Sequence, residues 1–265
     1  MTGPRSSGPT RPYYRRILAA EGAALELRQI HAGYVAEAEV LRGLSISVPK
    51  GKVTSIIGAN GAGKSTVLRV AFGMLPAWGG EIWLEGRQME QWSPRRALKL
   101  GVAYVAQGRC NFPAMTVREN LAVACYTRRD KGIASDIAAL MKRFPILHTR
   151  ATEAAGNLSG GQQQILEIAM ALTMRPKVLL LDEPTLGLSP QVFDEVFAAI
   201  ADVKEEGVTV LMVEQNAARA LEISDWAVVV ELGQTRMEST GFDILHDPSV
   251  RENYLGSRKE PDVTL

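Results

Sequence analysis

The fold of this chain is decided by the stretch Val53-Thr54-Ser55-Ile56-Ile57-Gly58-Ala59-Asn60-Gly61-Ala62-Gly63-Lys64-Ser65. An apolar run typical of a buried strand leads into a glycine-rich turn, and the residues from Lys64 to about Phe72 then predict a helix. Glycines allow backbone N–H groups to converge on phosphate oxygens, and the first turn of a helix adds a partial positive charge. The order strand, turn, helix therefore predicts an α/β fold with a phosphate-binding loop, which we call the P-loop (residues 58–65).

Two side chains of the P-loop carry chemistry. Lys64 supplies a point charge for the β- and γ-phosphates of a nucleotide, and Ser65 supplies a hydroxyl for Mg²⁺. The alternative is an ordinary glycine-rich turn at a strand–helix junction, which the full match to the motif disfavours. The other residues predicted to line the phosphates are Gly58, Asn60, Gly61, Gly63 and Thr66.

An acidic pair ends a second apolar strand. Val178-Leu179-Leu180-Leu181 is apolar throughout, as expected of a parallel strand buried on both faces, and Asp182-Glu183 follow it. Ligands bind at the carboxyl ends of strands in α/β sheets. Asp182 is therefore predicted to hold Mg²⁺ through water, and Glu183 to orient or deprotonate an attacking water. The alternative is a pair of solvated carboxylates capping the strand.

A third motif, Leu158-Ser159-Gly160-Gly161-Gln162, lies between these two, and we call it the signature segment. Ser159 is predicted to cap a helix that Gly160 and Gly161 open. The start of that helix is a second candidate anion site in the same chain. A capped helix without a ligand is the alternative.

The P-loop, the signature segment and the acidic strand end resemble the ATP-binding subunit of an ABC transporter, and the resemblance runs from about Leu25 to Leu255. It implies ATP as the ligand, Mg²⁺ as the cofactor and Glu183 as the catalytic carboxylate. It also implies a head-to-tail dimer, in which the signature segment of one subunit reaches the γ-phosphate held by the P-loop of the other. The residues that it assigns to this contact are Ser159, Gly160, Gly161 and Gln162.

The resemblance assigns two further residues. Tyr34, after Gly33, matches the aromatic residue that stacks on adenine, for which a flat phenol ring is suitable. An ordinary aromatic residue at a strand end is the alternative. Gln107, after the strand 102–105, matches a glutamine that contacts Mg²⁺ or water and reports the nucleotide state to a permease.

At two positions the sequence differs from the pattern that is commonest among ABC ATPases, and these differences indicate a subgroup of the family. Gln215, in Glu214-Gln215-Asn216, stands where many of these ATPases have His, and Ser189 stands where many have Asp. Both features resemble one of the two ATPases of branched-chain amino acid importers, although ATPases of urea and short-amide importers are closely similar. Gln215 can donate a hydrogen bond to a γ-phosphate but cannot titrate near neutral pH. The alternative is that Gln215 caps the following helix.

The composition fits a soluble enzyme subunit. The chain has 265 residues, 46% of them hydrophobic, with 30 basic and 29 acidic side chains. It has no polybasic field of the kind that general nucleic-acid binders carry, so no nucleic-acid partner is expected. No apolar stretch predicts a transmembrane helix or a secretory signal, and membrane association is expected through partners. Cys110 and Cys125 form no Cys-x-x-Cys pair, which suggests reduced cytosolic thiols.

The order of motifs predicts the organisation. A mostly parallel sheet with helices on both faces forms the P-loop core, flanked by an antiparallel edge β-subdomain and interrupted by a helical subdomain at about 107–160. The ATPase domain is predicted to cover 23–256. Residues 1–22 are predicted to be a disordered basic extension, and 257–265 a short tail.

These features predict the ATP-hydrolysing motor of an importer for branched-chain or other small amino acids, at the cytoplasmic face of the membrane. Permease subunits, a second ABC ATPase subunit and, indirectly, a periplasmic or extracellular solute-binding protein are the expected partners. A heterodimer is favoured over a homodimer. Phe112 and Met115 are candidates for a permease-facing surface, or else pack within the helical subdomain. A soluble ABC ATPase of DNA repair or translation, and a small-molecule P-loop kinase, are the competing classes.

Overall fold

The computed structural model describes residues 22–255 and contains two sheets. The strands in chain order are β1 (Ala23–Val35), β2 (Ala38–Pro49), β3 (Val53–Ile57), β4 (Gly79–Leu84), β5 (Arg87–Gln88), β6 (Val102–Val105), β7 (Val178–Asp182), β8 (Thr209–Val213), β9 (Trp226–Glu231) and β10 (Gln234–Ser239). The six-stranded sheet has the order β10-β9-β3-β8-β7-β6, and the four-stranded sheet has the order β2-β1-β4-β5.

The larger sheet is parallel except at one edge. Strands β9, β3, β8, β7 and β6 run parallel to their neighbours, whereas β10 is antiparallel to β9. Every residue of β3, β7 and β8 is buried, as expected of parallel strands covered on both faces, and most of these residues are apolar. The smaller sheet is antiparallel throughout, as predicted for the edge β-subdomain.

Helices alternate with the strands of the larger sheet. They are α1 (Lys64–Phe72), α2 (Pro94–Lys99), α3 (Val117–Ala124), α4 (Ile133–Arg143), α5 (Pro145–Thr149), α6 (Gly160–Leu172), α7 (Pro190–Glu205), α8 (Ala217–Ile223), α9 (Gly241–His246) and α10 (Pro248–Tyr254), with a 3₁₀ turn at Ala155–Asn157.

Three apolar clusters of the described residues pack against the larger sheet. One joins it to the helical segment α3–α6 and to α7, another joins it to α1 and the smaller sheet, and the third joins it to α8, α9 and α10. The predicted α/β class, with a P-loop core, an antiparallel edge subdomain and an inserted helical segment, is confirmed.

Helices α4 and α5 are separated only by Phe144. Pro145 begins α5 directly after α4 ends at Arg143, because proline fits the first turn of a helix. The predictions for the N-terminal extension and for the C-terminal tail fall on residues 1–21 and 256–265, which lie outside the described residues.

Candidate active site

Four parallel strands bring the predicted catalytic residues to one edge of the sheet. Asp182 at the end of β7 pairs with Val213 at the end of β8, and Val213 also pairs with Ile56 in β3. Strand β6 ends beside β7, with Val105 paired to Leu181. The P-loop, the acidic pair, Gln215 and the loop that carries Gln107 therefore leave the sheet at the same side. This is the edge at which parallel α/β sheets bind ligands.

Glycines at three positions of the P-loop take backbone angles that L side chains rarely adopt. The φ angles are 156° at Gly58, 80° at Gly61 and 101° at Gly63. A Cβ atom at Gly58 would also lie 2.2 Å from the carbonyl oxygen of Val230. The loop therefore depends on glycine for its course, which ends at the first turn of α1.

Lys64 folds back over the P-loop. Its Nζ donates to the carbonyl oxygens of Gly58, at 2.8 Å, and Ala59, at 3.0 Å. Burial lowers the pKa of this ammonium group, and the charges of Glu183 and Asp182 oppose that effect. The lysine is thus held over the loop by weak neutral acceptors, which phosphate oxygens could replace with a stronger interaction.

Ser65 and Asp182 are in direct contact. The Ser65 hydroxyl donates to Oδ1 of Asp182 at 2.8 Å, and the Tyr104 hydroxyl donates to Oδ2 at 2.9 Å. Asp182 is only 2% exposed, so its charge is stabilised mainly by these two donors and by Lys64.

Gln107 and Glu183 also meet. The Gln107 Nε2 donates to Glu183 Oε2 at 2.8 Å. Glu183 has a φ of 50°, in the left-handed region that is uncommon for residues other than glycine, and its N–H donates to the carbonyl of Val213 at 2.9 Å. Such a backbone conformation is strained, and strain of this kind often occurs at functional sites.

Gln215 lies at the same edge with an exposed side chain. The alternative prediction that it caps the next helix is wrong, because Asn216 caps α8 by accepting from the N–H of Arg219. The neighbouring Glu214 is 2% exposed and accepts from both the N–H and the hydroxyl of Thr185, at 3.0 and 2.8 Å. Glu214 thereby joins the end of β8 to the loop that follows the acidic pair.

The predicted adenine platform lies next to helix α1. The Tyr34 hydroxyl is 3.3 Å from Thr66 Oγ1 and accepts from Arg69 Nη1 at 2.8 Å, and Tyr34 is 53% exposed. The Arg69 guanidinium lies 5.6 Å from the centre of the ring. An exposed ring held next to the P-loop helix suits stacking on a base.

The signature segment is built as predicted, at a separate place. The Ser159 hydroxyl accepts from the N–H of Gln162, whose side chain accepts from the N–H of Ser159, so the two residues form a capping box. Within residues 22–255, no hydrogen bond joins this segment to the P-loop. A Cβ at Gly161 would lie 1.9 Å from Val192 Cγ1, so this glycine also allows α6 to pack against α7.

The donor set of the edge fits Mg²⁺. The Ser65 hydroxyl contacts the Asp182 carboxylate, and the Gln107 amide contacts Glu183, the next residue along the chain. Hydroxyl, carboxylate and amide oxygens are ligands that Mg²⁺ accepts.

Sequence reasoning missed three polar residues that shape the site. Tyr104 was part of a predicted strand, Glu214 part of a motif, and Glu167 part of a helix. Glu167 Oε1 accepts from the N–H groups of Cys110 and Asn111 and from the Asn111 side chain, at 2.8, 3.3 and 2.7 Å. Tyr104 lies on a predicted strand, but its contact with Asp182 depends on the pairing of β6 with β7, for which the sequence gives no signal.

The fold and this edge together define a P-loop nucleoside triphosphatase. A phosphate-binding loop, a buried Asp in contact with the P-loop serine, and a carboxylate held by a glutamine are the parts that such hydrolysis needs.

The comparisons with known proteins identify the family. The family model described as "ABC transporter" matches residues 41–186. The chain is similar to the high-affinity branched-chain amino acid transport ATP-binding protein BraG of Pseudomonas aeruginosa, with 40% identity over 84% of this chain and 96% of that protein. It is 36% identical to the probable branched-chain amino acid transport ATP-binding protein LivF of Archaeoglobus fulgidus, over 86% of this chain and 97% of that protein.

Solved structures agree. A nucleotide-free ATP-binding cassette of an ABC transporter has a TM-score of 0.78 and 30% identity, covering 89% of this chain and 100% of its own. The ADP conformation of an ATP-binding cassette has a TM-score of 0.78 and 30% identity, with 89% and 99% coverage. The chain belongs to the ABC transporter family, as an ATP-binding and ATP-hydrolysing subunit. None of the helices within residues 22–255 has the length and apolarity that a membrane span requires.

Proposed function

We propose that the chain is the ATP-hydrolysing subunit of an importer for branched-chain amino acids, peripheral to the cytoplasmic face of the membrane. The observation that carries the substrate class is the 40% identity to a branched-chain amino acid transport protein over 96% of that protein. The Glu214-Gln215-Asn216 motif, at the carboxyl edge of the sheet, supports the same subgroup.

The roles of the residues follow from their contacts. The P-loop amides and Lys64 bind the β- and γ-phosphates, and Tyr34 stacks on the adenine. Ser65, Asp182 and Gln107 would hold Mg²⁺, which when bound supplies positive charge to the phosphates. Glu183 accepts a proton from, or orients, the attacking water, and Gln107 holds its carboxylate in place through the 2.8 Å contact.

The working unit that we propose is a dimer of two such ATPases bound to permease subunits. The signature segment has an intact capping box and no hydrogen bond to its own P-loop within the described residues, which leaves its helix start available to a nucleotide held by another subunit. A heterodimer is favoured because P. aeruginosa has two proteins of this printed function, BraG at 40% and BraF at 34% identity to this chain.

The test is purification of the tagged full-length chain from native membranes, with identification of its partners by mass spectrometry. Two permease chains and a second ABC ATPase are expected. The purified complex is then reconstituted in vesicles with its solute-binding protein, and ATP-driven uptake of leucine, urea and acetamide is compared. Leucine uptake that disappears with Glu183→Gln supports the proposal, whereas uptake of urea or acetamide alone would refute the amino-acid assignment.

A further inference from the structure

The Tyr104 hydroxyl lies against the carboxylate on which the proposed metal site depends. Tyr104 pairs with Leu180 across the parallel strands β6 and β7, and its hydroxyl donates to Oδ2 of Asp182 at 2.9 Å. The other oxygen, Oδ1, accepts from Ser65 at 2.8 Å. Because each oxygen has its own donor, the buried carboxylate cannot rotate without breaking a hydrogen bond.

The ring of Tyr104 has a stacking partner that is separate from the contact between its hydroxyl and Asp182. The Phe72 ring stacks on the Tyr104 ring with 5.4 Å between the ring centres and 30° between their planes. The Tyr104 hydroxyl is the donor in its contact with Asp182, because an ionised carboxylate can only accept hydrogen bonds.

We propose that Tyr104 is a positioning residue for the metal-binding carboxylate, whose hydroxyl holds Asp182 in the orientation that presents Oδ1 to the Ser65 side of the site. This proposal rests on the magnesium site described under the proposed function. Hydrogen-bond partners of metal ligands orient those ligands, and their loss typically weakens metal affinity about 10- to 100-fold.

The test compares Tyr104→Phe with the wild-type full-length chain, because this change removes only the hydroxyl and keeps the ring. In the assembled complex, with the catalytic carboxylate of the partner ATPase neutralised, the Mg²⁺ concentration for half-maximal ATP hydrolysis is expected to rise about tenfold or more, with most of the rate recovered at saturating Mg²⁺. Binding of ADP without metal should stay unchanged. Mn²⁺ binding to the ADP complex, followed by electron paramagnetic resonance, should weaken by the same factor as the Mg²⁺ requirement.

Phe72→Leu is the matched control, since it removes the stacking partner and keeps the hydroxyl. It is expected to lower the unfolding temperature without changing the Mn²⁺ affinity. An equal loss of Mn²⁺ affinity in both variants would assign the effect to ring packing and overturn the proposal.

The variant Ser65→Ala distinguishes a failure of the Tyr104 proposal from a failure of the proposed magnesium site. If Ser65→Ala leaves Mn²⁺ binding unchanged, the magnesium site itself is wrong. If Ser65→Ala weakens Mn²⁺ binding and Tyr104→Phe does not, the site stands and the positioning role of Tyr104 is wrong.

Discussion

Glu183 combines an unusual backbone with a specific side-chain partner. Its φ is 50°, and its carboxylate accepts a hydrogen bond from Gln107 at 2.8 Å. The amide of a glutamine at this position could still accept that hydrogen bond through its oxygen, but it could not accept a proton from water. The variant Glu183→Gln therefore removes the negative charge at this position and keeps the hydrogen bond with Gln107.

For Glu183→Gln we expect ATP binding to persist and turnover to fall about 100-fold or more, the range attributed to a positioned general base. An ATP-bound dimer should accumulate, measured by light scattering after gel filtration with ATP. Hydrolysis near the wild-type rate would show that another group activates the water.

Gln215 provides a second prediction at this scale. Its exposed side chain is not needed for the helix cap, which Asn216 supplies, so Gln215→Ala should leave stability unchanged. If the amide donates to the γ-phosphate, the loss of one hydrogen bond to an anion, worth about 1.5–3 kcal/mol, should slow hydrolysis roughly 10- to 100-fold.

Gln215→His should keep activity and introduce a pH dependence near a pKa of about 6.5. The measurement is single-turnover hydrolysis in the assembled complex, with the catalytic carboxylate of the partner ATPase neutralised. An unchanged rate of hydrolysis for Gln215→Ala would rule out a hydrogen bond from the Gln215 amide to the γ-phosphate.

At the scale of elements, the tight start of helix α6 gives a prediction that separates packing from phosphate binding. Alanine usually stabilises a helix relative to glycine by about 0.5–1 kcal/mol. At Gly161, however, the new Cβ would lie 1.9 Å from Val192 Cγ1. Gly161→Ala should therefore destabilise the chain, by about 1–3 kcal/mol as for other overpacked sites.

Adding Val192→Ala should restore most of that stability, measured by urea unfolding of the two single variants and the double variant. If activity returns together with stability, Gly161 serves packing alone. If activity stays low, the glycine is also needed for close approach to phosphate. If the double variant instead loses the sum of the stabilities lost by the two single variants, the predicted clash between the new Cβ and Val192 would be wrong.

The sequence predicted those elements whose signals are local. Strand β3, the P-loop and α1 have the predicted bounds, and Ser159 caps α6 as predicted. Strands β4, β5 and β10 were not predicted, because they are short or partly polar. They form by antiparallel pairing: β4 pairs with β1, β5 pairs with β4, and β10 pairs with β9.

The contacts within the site could not be predicted either, because they also depend on which strands pair. Tyr104 reaches Asp182, and Gln107 reaches Glu183, only because the sheet places β6 next to β7. A helix pattern places a lone glutamate such as Glu167 at the surface, yet Glu167 is 4% exposed because three N–H groups satisfy one of its oxygens. Such burial depends on tertiary partners that no sequence window contains.

At the scale of the whole molecule, the loop after Gln107 connects the active-site edge to the helical segment. Asn120, fully buried on α3, accepts from the N–H of Phe112 at 2.7 Å and donates to its carbonyl at 3.0 Å. The backbone of the loop is therefore held from inside, while the Phe112 side chain is 48% exposed. This geometry favours the partner-facing interpretation of Phe112 over packing within the helical segment.

Phe112→Asp should accordingly disrupt assembly with the permease and leave folding and ATP binding intact, because a charge is costly at an apolar interface but not on a free surface. The measurement is the amount of permease that co-purifies with the tagged chain, alongside its unfolding temperature and ATP affinity. Asn120→Ala is the matched comparison, since it breaks the internal hold on the loop and should lower the unfolding temperature as well. A large loss of stability in Phe112→Asp itself would contradict the exposed placement, and full co-purification of the permease would show that this loop is not the contact.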